Sequence, residues 1–119
     1  MIVVDEDIKK LVHFFNSVLI RLSLYGWQLR LTNSSEGFCW KQRKIIDIGI
    51  NYRYPKELIL HEIAHILTCR FCNQKHNFIF WKTFDDLVRR FLPNHAVSEA
   101  QVRHRSYATK GFYRRVYER

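Results

Sequence analysis

The sequence predicts an α+β protein: an N-terminal helix, a small and mostly antiparallel sheet, and two further helices. Three observations carry that expectation. Apolar residues recur at helical spacing near both ends of the first ninety residues, and they alternate with polar ones in between. The composition, 47% hydrophobic and 15% aromatic, is that of a globular chain. A length of 119 residues suits one domain over residues 1–119. A chain of that size buries roughly two thirds of its unfolded surface and needs no disulfide or metal merely to fold.

From Asp5 or Asp7 as N-cap, Ile8, Leu11, Phe14/Phe15, Val18 and Leu22 follow the helical period, and Gly26 is the expected stop. Trp27 to Thr32 alternates, with Trp27, Leu29 and Leu31 on one side and Gln28 and Arg30 on the other, as in a half-buried strand. Asn33 to Gly37 is turn chemistry. Phe38 to Lys41 and Lys44 to Ile50 read as two more strands joined tightly at Gln42-Arg43, and Ile46, Ile48 and Ile50 share a face. Pro55 is a good first helical residue and Glu57 suits the helix dipole, so a second helix is expected from there to about Arg70. Cys72 to Lys75 reads as a loop. Asn77 is a candidate N-cap for a third helix carrying Phe80, Trp81, Phe84, Leu87, Val88 and Phe91, which Pro93 ends. Beyond it the pattern weakens, with a short helix expected over Ser98 to Arg105 and extended chain from Gly111.

Three cysteines do not make a secreted disulfide framework. The N-terminus carries Asp5, Glu6 and Asp7 and lacks the pattern of a signal peptide, and the apolar stretch from Leu11 to Leu24 is too short and too polar to span a bilayer. The expectation is a reduced, cytoplasmic monomer with no membrane partner. The net charge of +9 points toward a polyanion.

The second helix holds the run His61-Glu62-Ile63-Ala64-His65. Histidines four apart lie one above the other on a helix, so both imidazoles can reach one metal ion. Neutral imidazole suits zinc, and Glu62 next to the first ligand is placed to take a proton from a metal-activated water. This is the H-E-x-x-H arrangement of zinc metallopeptidases. It also stands on a helix whose apolar residues cover most of its circumference, where polar groups need partners that a metal supplies. The third ligand is open on spacing alone. His76 can be presented by the loop that precedes the third helix, and Asp85, Asp86 and Glu99 are carboxylate alternatives. Cys69 and Cys72, with His65 or His76, could instead make a structural zinc site. Cys39 reads as a small apolar strand residue.

The run His61 to His65 followed by His76-Asn77-Phe78-Ile79-Phe80-Trp81 resembles the SprT-like zinc metallopeptidases and the related YgjP-like group, over roughly Gly37 to Pro93. Trp40 to Asn51 is similar to their hairpin leading into the metal helix. The resemblance implies a zincin-like minimal core, zinc held by His61, His65 and His76, and Glu62 as general base. It also implies protein substrates, with proteins crosslinked to DNA the best-known class. Asn77 stands where the family often has glycine, and asparagine best tolerates the same backbone conformations after glycine. The C-terminal zinc ribbon that many relatives carry has no counterpart in these residues.

The last segment, about residues 96–119, is basic and aromatic. Arg103, Arg105, Lys110, Arg114 and Arg115 can neutralise phosphates, and Tyr107, Phe112, Tyr113 and Tyr117 can stack on unpaired bases, so DNA, single strands above all, is the expected partner. A helix and tail packed on the core with solvated arginines is the competing reading. A peptidase would hold an extended substrate along the strand nearest the metal helix. His95, Arg103, His104 and Tyr107 are the candidates for stabilising an oxyanion. The alternative function is a basic nucleic-acid-binding module in which a metal only staples the fold. The two differ in Glu62, which a staple does not need.

Overall fold

The computed structural model describes residues 5–68, 76–95 and 97. Its elements are α1 (Asp5–Arg21), β1 (Gln28–Thr32), β2 (Gly37–Trp40), β3 (Ile45–Gly49), α2 (Pro55–Thr68) and α3 (Phe78–Phe91). The chain divides into two compact units between Ile63 and Ala64, inside α2.

In the first unit, α1 buries Leu11, Phe15, Val18 and Leu19, the stripe expected from its period. Its end differs from expectation. The Ser23 N–H donates to Ile20 O (3.1 Å) and the Leu24 N–H to Leu19 O (2.9 Å), with Ser23 at φ 56. These are the paired bonds of a Schellman cap, with serine in the left-handed position that glycine usually fills. Gly26, at φ 81, turns the chain into β1 instead.

The sheet is mixed, with strand order β1-β3-β2. β3 pairs in parallel with β1, in the register Gln28↔Ile45 to Thr32↔Gly49, and antiparallel with β2, in the register Gly37↔Ile48 to Trp40↔Ile45. The mostly antiparallel sheet expected from the sequence is therefore corrected. The cause is the connection over residues 33–36, which passes across the end of β3 rather than folding β2 back on β1. Gly49 N–H donates to Glu36 O (2.8 Å), Ile50 N–H to Thr32 O (3.0 Å) and Asn51 N–H to Ser34 O (2.9 Å). Asn51 Nδ2 adds a bond to Asn33 Oδ1 at 2.9 Å. A Cβ on residue 49 would stand 2.2 Å from the Ser34 carbonyl oxygen, so only glycine lets the chain cross there.

The β2–β3 connection takes four residues, 41–44, not the tight Gln42-Arg43 turn. Arg43 N–H donates to Trp40 O (3.2 Å), Lys44 N–H to Lys41 O (3.3 Å), and Lys44 sits at φ 54. One face of the sheet buries Ile46, Ile48 and Cys39, as expected for each. On the other, Arg30 forks onto Asp47, its partner in register, and the Trp40 indole donates to the same carboxylate at 2.6 Å. The hydrogen bonds from Arg30 hold the Asp47 carboxyl below its ordinary range.

α2 opens at Pro55, with the Leu58 N–H bonded to Tyr54 O at 3.1 Å. Every side chain from Glu57 to His65 is buried, and Glu57 stands in the first turn as expected. The sequence places the end of this helix near Arg70. The structure follows it to Thr68, and residues 69–75 lie outside the description.

In the second unit, α3 begins as expected. Asn77 is its N-cap in extended conformation (φ −88, ψ −176), its side chain accepting from the Phe80 N–H at 3.0 Å. The position needs a capping side chain and not left-handed freedom, so an asparagine serves it well. Phe80, Trp81, Phe84, Leu87 and Val88 are buried, and the helix ends at Phe91 with Leu92 as C-cap, just before Pro93. No helix among the described residues is long and apolar enough to cross a membrane.

Candidate metal centre

The site grows from the middle of α2. One helical turn separates His61 and His65, and both rings are buried, with Glu62 buried beside them. His76, half-buried, comes from the residue before the N-cap of α3. One ring nitrogen from each of His61, His65 and His76 lies within 4.8 Å of the others. Asp85 and Asp86 do not join this group. Asp85 is instead paired with Arg89 on α3 at 3.0 Å, and Asp86 is exposed. Among the described residues no other group of His, Cys, Asp or Glu is close enough to share an ion. Glu99, Cys69 and Cys72 lie outside the described residues, as do Arg103, His104, Arg105, Tyr107, Lys110, Arg114 and Arg115. Of the oxyanion candidates only His95 is described. Its N–H donates to Leu92 O at 2.9 Å, and it is not part of the histidine group.

The three rings lie close enough to share one metal ion. Zinc–nitrogen bonds of about 2.0–2.1 Å at tetrahedral angles put two ligand nitrogens roughly 3.3 Å apart. The Nε2 atoms of His65 and His76 are 3.1 Å apart. Burial, and then the neighbouring His76, push the His65 pKa down to about 3, so its imidazole is neutral and its lone pair is available to a metal. The two histidines also satisfy the geometry of a direct hydrogen bond, one nitrogen donating and one accepting, which neutral rings permit.

Two aromatic residues hold the third histidine, and their role is invisible in the helical period that places both of them in the core. The Trp81 indole donates to the His76 carbonyl at 3.1 Å. The Phe80 ring lies 4.3 Å from that of His65 in a stacked arrangement and 4.8 Å from that of His76. The cap at Asn77, the indole bond and the phenyl face thus fix both the backbone and the ring side of His76. The sequence signal is the spacing itself: an N-cap asparagine directly after a histidine, with a tryptophan four residues further on.

Glu62 is the other unusual group. Burial pushes its carboxyl up to about 8. The start of β2 runs alongside it: a Cβ on Gly37 would stand 3.1 Å from Glu62 Oε2 and 3.1 Å from the Leu58 side chain. Gly37 therefore leaves the carboxylate room. β2 pairs with β3 alone among the described residues, so its other edge carries ladder groups that a further strand can use.

No family model, no curated protein and no solved structure matches the chain.

Proposed function

We propose that this protein is a zinc-dependent peptidase of the SprT-like kind, with His61, His65 and His76 holding the metal and Glu62 acting as general base. The observation that carries the proposal is the convergence of three histidine nitrogens within 4.8 Å, two of them from a buried helix that also buries a carboxyl with its pKa near 8. A bound zinc would supply a water whose pKa falls to about 7 and would polarise the scissile carbonyl. Glu62 would accept a proton from the attacking water and return it to the leaving amine. Burial raises its affinity for a proton, and the charge of a bound cation draws that affinity back toward neutrality, where a carboxylate can both accept and return a proton. Neutral His65, held against Phe80, has its lone pair available for the metal at working pH. β2 begins beside Glu62, and its edge away from β3, unpaired among the described residues, offers backbone N–H and C=O groups to an extended peptide, so the chain to be cut would lie along β2 with its scissile bond near the carboxylate.

Proteins bound or crosslinked to DNA are the substrate class this resemblance implies, and the net charge of +9 is compatible with it. The competing reading keeps the histidine centre as a staple in a basic nucleic-acid-binding module, and Glu62 separates the two. Glu62→Gln is expected to retain about one zinc per chain by elemental analysis. It is expected to lose casein hydrolysis by roughly three orders of magnitude or more, since the water has lost its base. Equal cleavage by the two proteins would end the peptidase reading.

A further inference from the structure

We propose that a basic hollow between α1 and the first turn of α2 binds a nucleotide unit, its ring against Phe14 and its phosphate among Lys9, Lys10 and Lys56. The hollow has a volume of about 400 Å³ and is lined by Lys9, Lys10, His13, Phe14, Ser17 and Lys56, all in the first unit and outside the metal centre. The lining follows from the helical period. Lys9, His13 and Ser17 form one row of α1, and Lys10 and Phe14 form the row beside it. Lys56 joins them from the first turn of α2, with its ammonium 5.4 Å from the centre of the Phe14 ring. That turn also presents the positive end of a helix dipole. Its acid, Glu57, is fully buried.

Charge decides the sign of the ligand. None of the three lysines is in an ion pair among the described residues, although Glu6 and Asp7 precede two of them on α1. Among the described residues these three ammonium groups share one concavity without an ion-paired carboxylate, and an anion relieves their repulsion. Shape decides the class. The hollow is large for a lone phosphate and lies near the lower end of the range for small-molecule sites, roughly 300–1,000 Å³. Its floor is the half-buried Phe14 ring, and lysine stems add apolar wall. A carboxylate side chain would meet the charges and make no use of the ring. A nucleotide supplies a flat ring and a phosphate at a short fixed separation, and bases stack on aromatic faces in a sequence-tolerant way. The same unit occurs free and within a single strand, and the experiment separates these sources.

The full chain is titrated with a fluorescent oligo-dT by anisotropy at several salt concentrations, then challenged with unlabelled dTMP. The double variant Lys9→Gln with Lys56→Gln, both positions exposed, is expected to bind the oligonucleotide about tenfold more weakly at low salt. The slope of log K against log salt should fall in magnitude by about 1.4, two strand phosphates at roughly 0.7 each. Phe14→Leu keeps an apolar floor without an aromatic face, and should lose about fivefold or more in affinity while keeping the slope. Thermal melts check that each variant is folded. Displacement by millimolar dTMP assigns the hollow to a free nucleotide, and failure to displace assigns it to a strand; either supports the proposal. Unchanged affinity and slope in the double variant overturn it. So does a loss confined to Arg114→Glu with Arg115→Glu, or a poly-glutamate peptide that binds as well as the oligonucleotide and ignores Phe14→Leu. The readout is binding, so it is independent of whether Glu62 supports hydrolysis.

Discussion

The three histidines of the candidate metal centre are placed by two different kinds of physics. His61 and His65 share a helix, and a rise of about 1.5 Å per residue stacks them once α2 exists. His76 has no such template. It is set by an N-cap on α3, by the indole of Trp81 on its carbonyl, and by the face of Phe80 beside its ring. The helix pair is local and depends on regular structure alone. The third ligand depends on several tertiary contacts, each of which can be removed without touching a ligand. The helix should therefore tolerate changes around its histidines that the loop position does not.

The largest expected effect falls on the ligands themselves. His65→Ala and His76→Ala should each weaken zinc binding by more than the 10–100-fold typical of outer-shell partners, measured by competition with a chromophoric chelator. Cys69→Ser with Cys72→Ser should leave binding unchanged. Should the cysteine pair abolish zinc binding while His76→Ala is silent, the metal is held elsewhere and the comparison collapses. A smaller effect sharpens the comparison. Trp81→Phe keeps a buried ring in α3 but removes the donor to His76, and should cost about 10–100-fold in zinc affinity with circular dichroism preserved. An affinity equal to wild type would mean that the cap and the Phe80 face place His76 without the indole.

The smallest effect is on the stability of the metal-free protein. Glu62 is raised from 4.5 to about 8, so between those values the folded chain keeps a proton that the unfolded chain releases, and stability falls as pH rises. His65 is lowered from 6.5 to about 3, so in that interval the unfolded chain holds a proton that the folded chain refuses, and stability falls as pH drops. The slopes cancel between about 4.5 and 6.5. Metal-free melting temperatures should form a plateau there, with a decline of about 2 kcal/mol on each side. Glu62→Gln should erase both the alkaline decline and the plateau, leaving one decline from about pH 6.5 down to about 3, and a wild-type curve with a single slope across the whole range would contradict both assignments.

Much of this architecture is legible in the sequence, and the failures have specific causes. The helical stripes of α1 and α3, the Asn77 cap and the three strand positions are set by periodicity and local chemistry, so they can be read directly. The pairing of the strands cannot. A short link between two strands ordinarily means that they are neighbours, and only the isolated Gly49 at the end of β3 hints that another backbone comes close. Ser23 and Lys44 adopt left-handed conformations for which their residue types give no signal, so the helix end and the hairpin length were both misplaced. At the metal centre, His61, Glu62 and His65 follow from spacing, and spacing alone left His76 in competition with Asp85, Asp86 and Glu99. Phe80 and Trp81 fit the core so well by their period that their contacts with the histidines leave no separate trace.

The crossing at Gly49 also bears on the order in which the sheet can assemble. β1 and β2 are made first and joined by a short link, yet in the sheet they do not touch, because β3 lies between them. A nascent chain that ends before Ile45 has two strands and no partner for either. Sheet formation therefore waits for β3, whose arrival completes one pairing with β1 and one with β2. β3 is followed after residues 50–54 by α2, so the strand that closes the sheet is the one that precedes the helix of His61 and His65. Synthesis thus reaches the histidines only after the last strand of the sheet is available to pair.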